Sequence, residues 1–229
     1  MSPYLNKYFD RREAWVYRCL IQQHKGDIML WKTTVDNNIK DVDLRQPPVV
    51  IRVNKFNEEA AKEFAQKMGQ AHNTGQKVIP VIIDSYGGEV YSLMSMIASI
   101  KNSELPVATI VEGKAMSCGV ILFSCGTKGY RYITEDATLM IHDVSSGSWG
   151  KNSEIQASAK ETERLNEKIY EILADNSSKT KKWFNKKLNK KGRADWFIEA
   201  EEAIDLGLAD KIGMPKLQIK VSLDIDIQE

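Results

Sequence analysis

Short apolar runs of strand length alternate with segments of helical period through the middle of this 229-residue chain, and few folds accommodate that order. Val49-Val50-Ile51-Arg52-Val53 after the Pro47-Pro48 break, Val78 to Ile83, and Val107 to Val111 read as buried strands, rich in β-branched residues and without polar alternation. Between the first two, Asn57 can cap a helix whose apolar positions are Ala60, Ala61, Phe64, Ala65 and Met68, a spacing of three and four that makes one face. After a Gly-Gly turn, Val90, Leu93, Met94, Ile97 and Ile100 make a second such face. Ser117 to Cys125 reads as an almost wholly apolar, buried helix, and Tyr130–Ile133 and Thr138–Ile141 as two further short strands. Parallel neighbours need crossovers of a dozen or more residues, which is what these helices supply. The fold class is therefore α/β.

The flanks read differently. The first 45 or so residues mix aromatics with charge (Tyr4, Tyr8, Phe9, Trp15, Tyr17, Trp31) and show weak periodicity, with a helix expected over Arg12–Gln23 and a strand over Asp27–Thr34. They are read as a separate N-terminal segment, 1–45, ahead of a main domain, 46–229. Within that domain a long helix is expected from Ser153 to Ala174. Its apolar residues are sparse, so it should project from the body, and Leu165, Ile169, Ile172 and Leu173 should form an exposed apolar cluster that marks an interface. Helices over Thr180–Asn189, with Trp183, Phe184 and Leu188 inward, and over Glu199–Leu206, stopped by Gly207, come next; the tail Leu217–Ile227 alternates like a strand.

Composition removes whole classes of function. With 32 Lys+Arg against 31 Asp+Glu the chain has no global field to steer nucleic acid. The basic run from Lys179 to Arg193 reads as the solvated face of an amphipathic helix. Cys19, Cys118 and Cys125 are too few and too irregular for a disulfide framework or a zinc site, and a chain of this length buries about 70% of its unfolded surface without a staple. No apolar run reaches the roughly 18 residues of a membrane span, and the N-terminus lacks the apolar core of a secretory leader. A cytoplasmic setting, no membrane, no nucleic acid and no cofactor or metal are the expectations.

Three places can carry chemistry. Asp84-Ser85-Tyr86-Gly87-Gly88 follows a strand and opens a helix; a diglycine there lets backbone N–H groups approach a ligand or a developing oxyanion, or serves only as a tight turn. Gly113-Lys114-Ala115-Met116-Ser117-Cys118-Gly119 is a second junction of the same kind. Its serine sits where N-cap serines commonly do, and it lacks the glycine two residues earlier that marks the α/β-hydrolase elbow. His24 and His72 sit in polar surroundings, whereas His142 ends an apolar strand before the Ser/Gly-rich stretch Ser145–Gly150 and is the histidine that could act as a base. Asp195, between basic residues and Trp196-Phe197, could be partly buried and orient an imidazole, or pair with Arg193.

Taken together, these pieces resemble the proteolytic subunit of the Clp protease, from about Val49 to Ile212. Four ordered segments carry the likeness: Ile83-Asp84-Ser85-Tyr86-Gly87-Gly88, Ala115-Met116-Ser117-Cys118-Gly119, Met140-Ile141-His142, and Asp195-Trp196-Phe197-Ile198-Glu199-Ala200 through Gly207-Leu208-Ala209-Asp210. The spacings also match, 29 residues from glycine to serine (117 − 88) and 25 from serine to histidine (142 − 117). The resemblance implies a spiral of ββα units, shared with crotonases, with a projecting handle helix at about 143–175. It implies a serine endopeptidase in which Ser117 is the nucleophile, His142 the general base and Asp195 the orienting acid, with the Gly88 and Cys118 N–H groups as the oxyanion hole. It further implies stacked, heptameric homo-oligomeric rings enclosing a chamber, peptide or unfolded-protein substrates, and a Clp-type ATPase as a partner.

The chain departs from the family at Tyr86, where proline is usual, at Cys118, where methionine is common, and over residues 1–45, which do not resemble the family's pore segment. The likeness extends equally to host enzymes and phage-like relatives. Two rivals stand beside it. A crotonase-like acyl-CoA enzyme would use the same two donors without a Ser/His/Asp set, and a pseudo-peptidase would only build a scaffold. A Ser/Lys enzyme is weaker, because Lys114 is too near Ser117 in sequence. Assembly should also set the base, if the stretch after His142 is ordered only by a neighbouring subunit.

Overall fold

The computed structural model describes residues 47–190, 192 and 195–218. The chain divides into two compact units, Asp43–Pro215 and Met1–Val42 with Lys216–Glu229. The second lies almost wholly outside the described residues, as do the helix expected over Arg12–Gln23, the strand over Asp27–Thr34, His24, Cys19 and nearly all of the alternating tail.

Among the described residues thirteen elements, all within the first unit, run β1 (Ile51–Val53), α1 (Glu58–His72), β2 (Ile79–Ser85), α2 (Val90–Lys101), β3 (Val107–Met116), α3 (Cys118–Ser124), β4 (Arg131–Ile133), β5 (Thr138–Ile141), α4 (Asn152–Asp175), α5 (Lys181–Lys190), β6 (Trp196–Ile198), α6 (Ala200–Asp205) and β7 (Lys211–Ile212). Asn57 caps α1 through its side chain, which accepts from the Ala60 N–H at 2.8 Å. Ala61, Phe64, Met68 and Ala71 of that helix are buried, while Ala65 faces solvent. In α2 the inward face is Leu93, Met96, Ile97 and Ile100; α3 is buried throughout, as its composition predicts.

The sheet runs β1-β2-β3-β4-β7, all parallel, with β5 also on β3 and β6 on β5. The mixed α/β architecture with a parallel sheet agrees with the expected fold class. β3 is longer than expected. Its pattern turns polar after Val111, yet the strand continues to Met116 because each half finds a partner: Thr109–Val111 pairs with β4, and Lys114–Met116 with β5. β6 alone is antiparallel, with Ile141 opposite Trp196 and Leu139 opposite Ile198.

That topology decides where chemistry can occur. Parallel strands present their C-terminal ends on one side, so the residues after β2, β3 and β5 emerge together. β6 runs the other way, so its first residue lies beside the last of β5. Gly88, Ser117, His142 and Asp195 are the residues so delivered.

The long helix α4 corrects one expectation. Leu165, Ile169, Ile172 and Leu173 are buried within the protein's own core rather than exposed as an interface cluster. The C-terminal half of α4 packs on α3 and α5, and α5 brings the buried Phe184 and Leu188. Trp183 of α5 is half-buried, edge-on to Phe184 at 5.3 Å and tilted against the buried Trp196 at 5.8 Å. The N-terminal half of α4 is the exposed one: Asn152–Ala157 are all in solvent, including Ile155.

At the other end of the sheet Arg131, buried, donates to both carboxylate oxygens of Asp210 at 2.9 and 2.6 Å and to the Asn176 carbonyl at 2.5 Å, tying β4 to the end of α4 and to the residue just before β7. Two lysines of the basic run are paired: Lys181 bridges Glu167 and Glu171, and Lys187 lies 3.8 Å from Glu202 and over the Trp196 ring at 4.9 Å, while Lys182, Lys186 and Lys190 are exposed. Among the described residues no helix is long and apolar enough to cross a membrane, and no group of three His, Cys, Asp or Glu could hold a metal ion.

Candidate active site

Ser117 stands between β3 and α3 with φ 54° and ψ −120°, and it is the single non-glycine residue with positive φ among the described residues. A side chain in that region costs about 1–3 kcal/mol and persists only where its surroundings over-determine it. Here they do. The Ser117 N–H donates to the Met140 carbonyl at 2.9 Å, so β5 holds the backbone immediately before the turn. The next residues enter α3, whose chain is buried from Cys118 to Ser124.

The diglycine packs against this turn, and both glycines are required. Gly87 has φ 108°, and a Cβ there would sit 2.7 Å from the Ser117 Cβ. Gly88 has φ 150°, and a Cβ there would sit 2.4 Å from the Phe56 carbonyl oxygen. The buried Ser85 donates to the Asn54 carbonyl at 2.9 Å and accepts from the Gly87 N–H at 3.1 Å. The Glu89 N–H donates to Phe56 at 2.8 Å. Among the described residues no protein oxygen accepts from the N–H of Gly88 or of Cys118.

Cys118 is buried beside the serine, its thiol donating to the Gly88 carbonyl at 3.2 Å. Burial pushes that thiol up to about 11, outweighing nearby hydrogen bonds that favour the thiolate. The sulfur is therefore protonated at neutral pH, and of the adjacent pair it is Ser117, half-buried and opening on the cleft, that is placed to react. Gly88, Val90, Ser117, Cys118, Ile121, Ile141, His142 and Ile169 share the lining of this one cleft.

His142 follows β5 and reaches the same cleft. Asp195 precedes β6 beside it, with its Oδ1 3.9 Å from His142 Nδ1. That is beyond hydrogen-bond distance. The Asp195 side chain is 54% exposed, so it is not the partly buried carboxylate expected from its apolar neighbours. Trp196 and Ile198 turn inward, and strand alternation sends Asp195 and Phe197 outward. No hydrogen bond joins Ser117 Oγ to His142 among the described residues.

The stretch after His142 is held by this chain's own α4, contrary to ordering by a neighbour alone. Asp143 accepts from the Tyr170 hydroxyl, the Val144 N–H donates to Asn166 at 2.6 Å, and Ser146 and Thr162 hydroxyls meet at 2.7 Å. Lys114 is occupied as well. It donates to Asp84 Oδ1 at 2.8 Å, which holds its ammonium above the ordinary lysine value and leaves no free amine to act as a base. His72 is exposed, as its polar surroundings predict, and meets Met68, Ser103 and Glu104 far from this cleft.

Residues 37–216 of the 229 match a family model described as Clp protease, well over half of the chain. The chain belongs to the Clp protease family. Membership makes it a peptidase, a hydrolase of peptide bonds, and agrees with the parallel-sheet α/β fold. Sequence reasoning singled out the segment holding Asp84, Ser85 and Gly87 but gave these three no individual role. Their signal lay in the diglycine segment itself, but their partners, Asn54, Lys114 and Ser117, become visible only once β2 lies between β1 and β3.

Proposed function

We propose that the protein is a serine endopeptidase in which Ser117 is the nucleophile, His142 the general base and Asp195 the orienting acid. The observation that carries this reading is the strained Ser117 turn. A serine held at φ 54° and packed against two glycines opens on the cleft that His142 lines.

In the reaction the His142 imidazole takes the Ser117 hydroxyl proton as Oγ attacks the scissile carbonyl carbon. The oxyanion turns to the Gly88 and Cys118 N–H groups, each such donor contributing about 3–4 kcal/mol to the transition state. Collapse expels the amine, which receives the proton from His142, and leaves an acyl-enzyme. A water deprotonated by His142 then releases the second product. Asp195 must close on Nδ1 to within about 2.6–3.2 Å to fix the tautomer, a tightening common on substrate binding. No step calls for a metal or an organic cofactor.

The active form we propose is a homo-oligomer of stacked heptameric rings around a chamber, with residues 46–229 as its peptidase domain and 1–45 as a separate segment, acting in the cytoplasm on peptides or unfolded protein. The exposed N-terminal half of α4, with Trp149 99% exposed just before it and Ile155 on it, is the surface that supports assembly now that the Leu165–Leu173 cluster is accounted for inside the core. A Clp-type ATPase is the partner proposed to feed it. The test is labelling with a fluorophosphonate followed by peptide mapping and sizing. A single adduct on Ser117 in a high-mass species is expected; a folded protein that takes up no label would mean a scaffold or an acyl-CoA enzyme instead.

A further inference from the structure

Asp84, Lys114 and Tyr86 form a stack over the solvent side of the segment that carries Gly88. Lys114 Nζ lies 2.8 Å from Asp84 Oδ1 and 4.5 Å from the centre of the Tyr86 ring. The three come from the two strand ends that build the site. Asp84 is in β2, Tyr86 immediately precedes Gly87, and Lys114 is in β3, three residues before Ser117. The buried face of the same segment is fixed by Ser85, through its bonds to Asn54 and Gly87, and by the Glu89–Phe56 bond. The outer face has Tyr86, which is 74% exposed and would swing freely but for the ammonium beneath it.

We infer that Asp84, Lys114 and Tyr86 are positioning residues: the Asp84-anchored ammonium of Lys114 clamps the Tyr86 ring and so fixes the Gly88 N–H relative to Ser117. This rests on the serine-peptidase reading above. The physical case is one of tolerance. Two consecutive glycines at φ 108° and 150° are the least self-constrained backbone a chain can have. An oxyanion donor must nevertheless hold its place to a fraction of an ångström, since a displacement of about 1 Å can cost 100-fold in rate. A cation over an aromatic ring, itself fixed by a carboxylate, restrains such a segment from outside without occupying the cleft. Asp84 and Lys114 do not line the cleft, so they reach the reaction through Tyr86 and Gly88 rather than by touching substrate.

The experiment compares Lys114→Met, Tyr86→Ala and the double variant with the wild-type full chain. Its readouts are kcat and KM on a fluorogenic peptide, and amide exchange of the peptide spanning 84–92. Each single variant should lose roughly 10–100-fold in kcat with KM changed less than about two-fold, and exchange should accelerate. The double variant should lose no more than the worse single one, and Lys114→Arg and Tyr86→Phe should each restore most of the rate. Unchanged kcat and exchange would overturn the inference. So would a loss carried by KM alone, which would make these residues substrate contacts, or additive losses in the double variant. If Lys114→Met fails to fold, Tyr86→Ala still decides, because that side chain lies mostly in solvent. A wild type that takes no fluorophosphonate on Ser117 would overturn the peptidase reading and this inference with it. A labelled wild type with unchanged variants sinks the inference alone.

Discussion

At Ser117 everything is held: a strained backbone, a buried helix behind it, a glycine whose added Cβ would fall 2.7 Å from the serine's own, and a strand carbonyl on its N–H. Across the cleft little is. His142 and Asp195 stand 3.9 Å apart, the carboxylate more than half exposed, with no hydrogen bond between them. The position of Ser117, the proposed nucleophile, is thus a property of the folded core, where displacement would meet close-packed atoms. The proposed base and acid depend on two strand ends and on the torsion of a carboxylate that stands more than half in water. The contrast teaches where control over such a site can act. A packed turn is costly to change, and an open ion pair is cheap to make or break.

The largest effect should come from the packed side. Ser117→Ala should lower hydrolysis of a short peptide by about six orders of magnitude, as removal of a triad nucleophile does. Wild-type turnover in that variant would reject the assignment. On the open side Asp195→Ala should cost less, about 10⁴-fold in kcat. A loss of less than about ten-fold would show that Asp195 does not close on His142 in the working enzyme. Gly88→Ala should cost at least about 100-fold, because its methyl would meet the Phe56 carbonyl and shift an oxyanion donor. Circular dichroism on the same sample separates that loss from unfolding.

Smaller effects sharpen the comparison through stability. Ser117→Gly should be more stable than Ser117→Ala by about 1–3 kcal/mol in urea titrations, since glycine relieves the positive φ. Equal stabilities would mean that the turn stores no strain. Smallest of all is an alkaline effect. Burial raises the Cys118 and Cys125 thiols from 9.0 to about 11 in the folded state. The unfolded chain therefore releases these protons first, so the stabilisation is complete below about pH 9 and is lost as pH rises toward 11. Denaturant midpoints that stay level from pH 8 to about 11 would contradict that burial.

Much of this was legible in the sequence, and for definite reasons. Buried parallel strands show as unbroken apolar runs, and Asn57 announces its helix because the cap is a local interaction. The Ser117 turn showed as a junction of small residues, and the family resemblance assigned its role. The errors arose where distant partners decide. Leu165, Ile169, Ile172 and Leu173 looked like an exposed stripe because the surfaces covering them, α3 and Phe184 and Leu188 of α5, lie elsewhere in the chain. Averaged over its length α4 is polar; taken by halves it is a core helix joined to an exposed one. Asp195 looked half-buried because it adjoins Trp196, but alternation in β6 sends neighbours to opposite faces. Lys114 looked too close to Ser117 to act as a base, and the physical reason it does not is Asp84.

β5 and β6 are antiparallel neighbours, so they make a hairpin in which the turn has been replaced by the chain that contains α4 and α5. The strand ends next to that insertion are the ones that hold the imidazole and the carboxylate. In mechanical terms the arrangement is a pair of tongs with a long handle. The exposed half of α4 is continuous with its buried half, where Ile169 is already a wall of the cleft. The same buried half also packs on α3, so the arm is continuous with the helix that follows Ser117 as well as with both jaws.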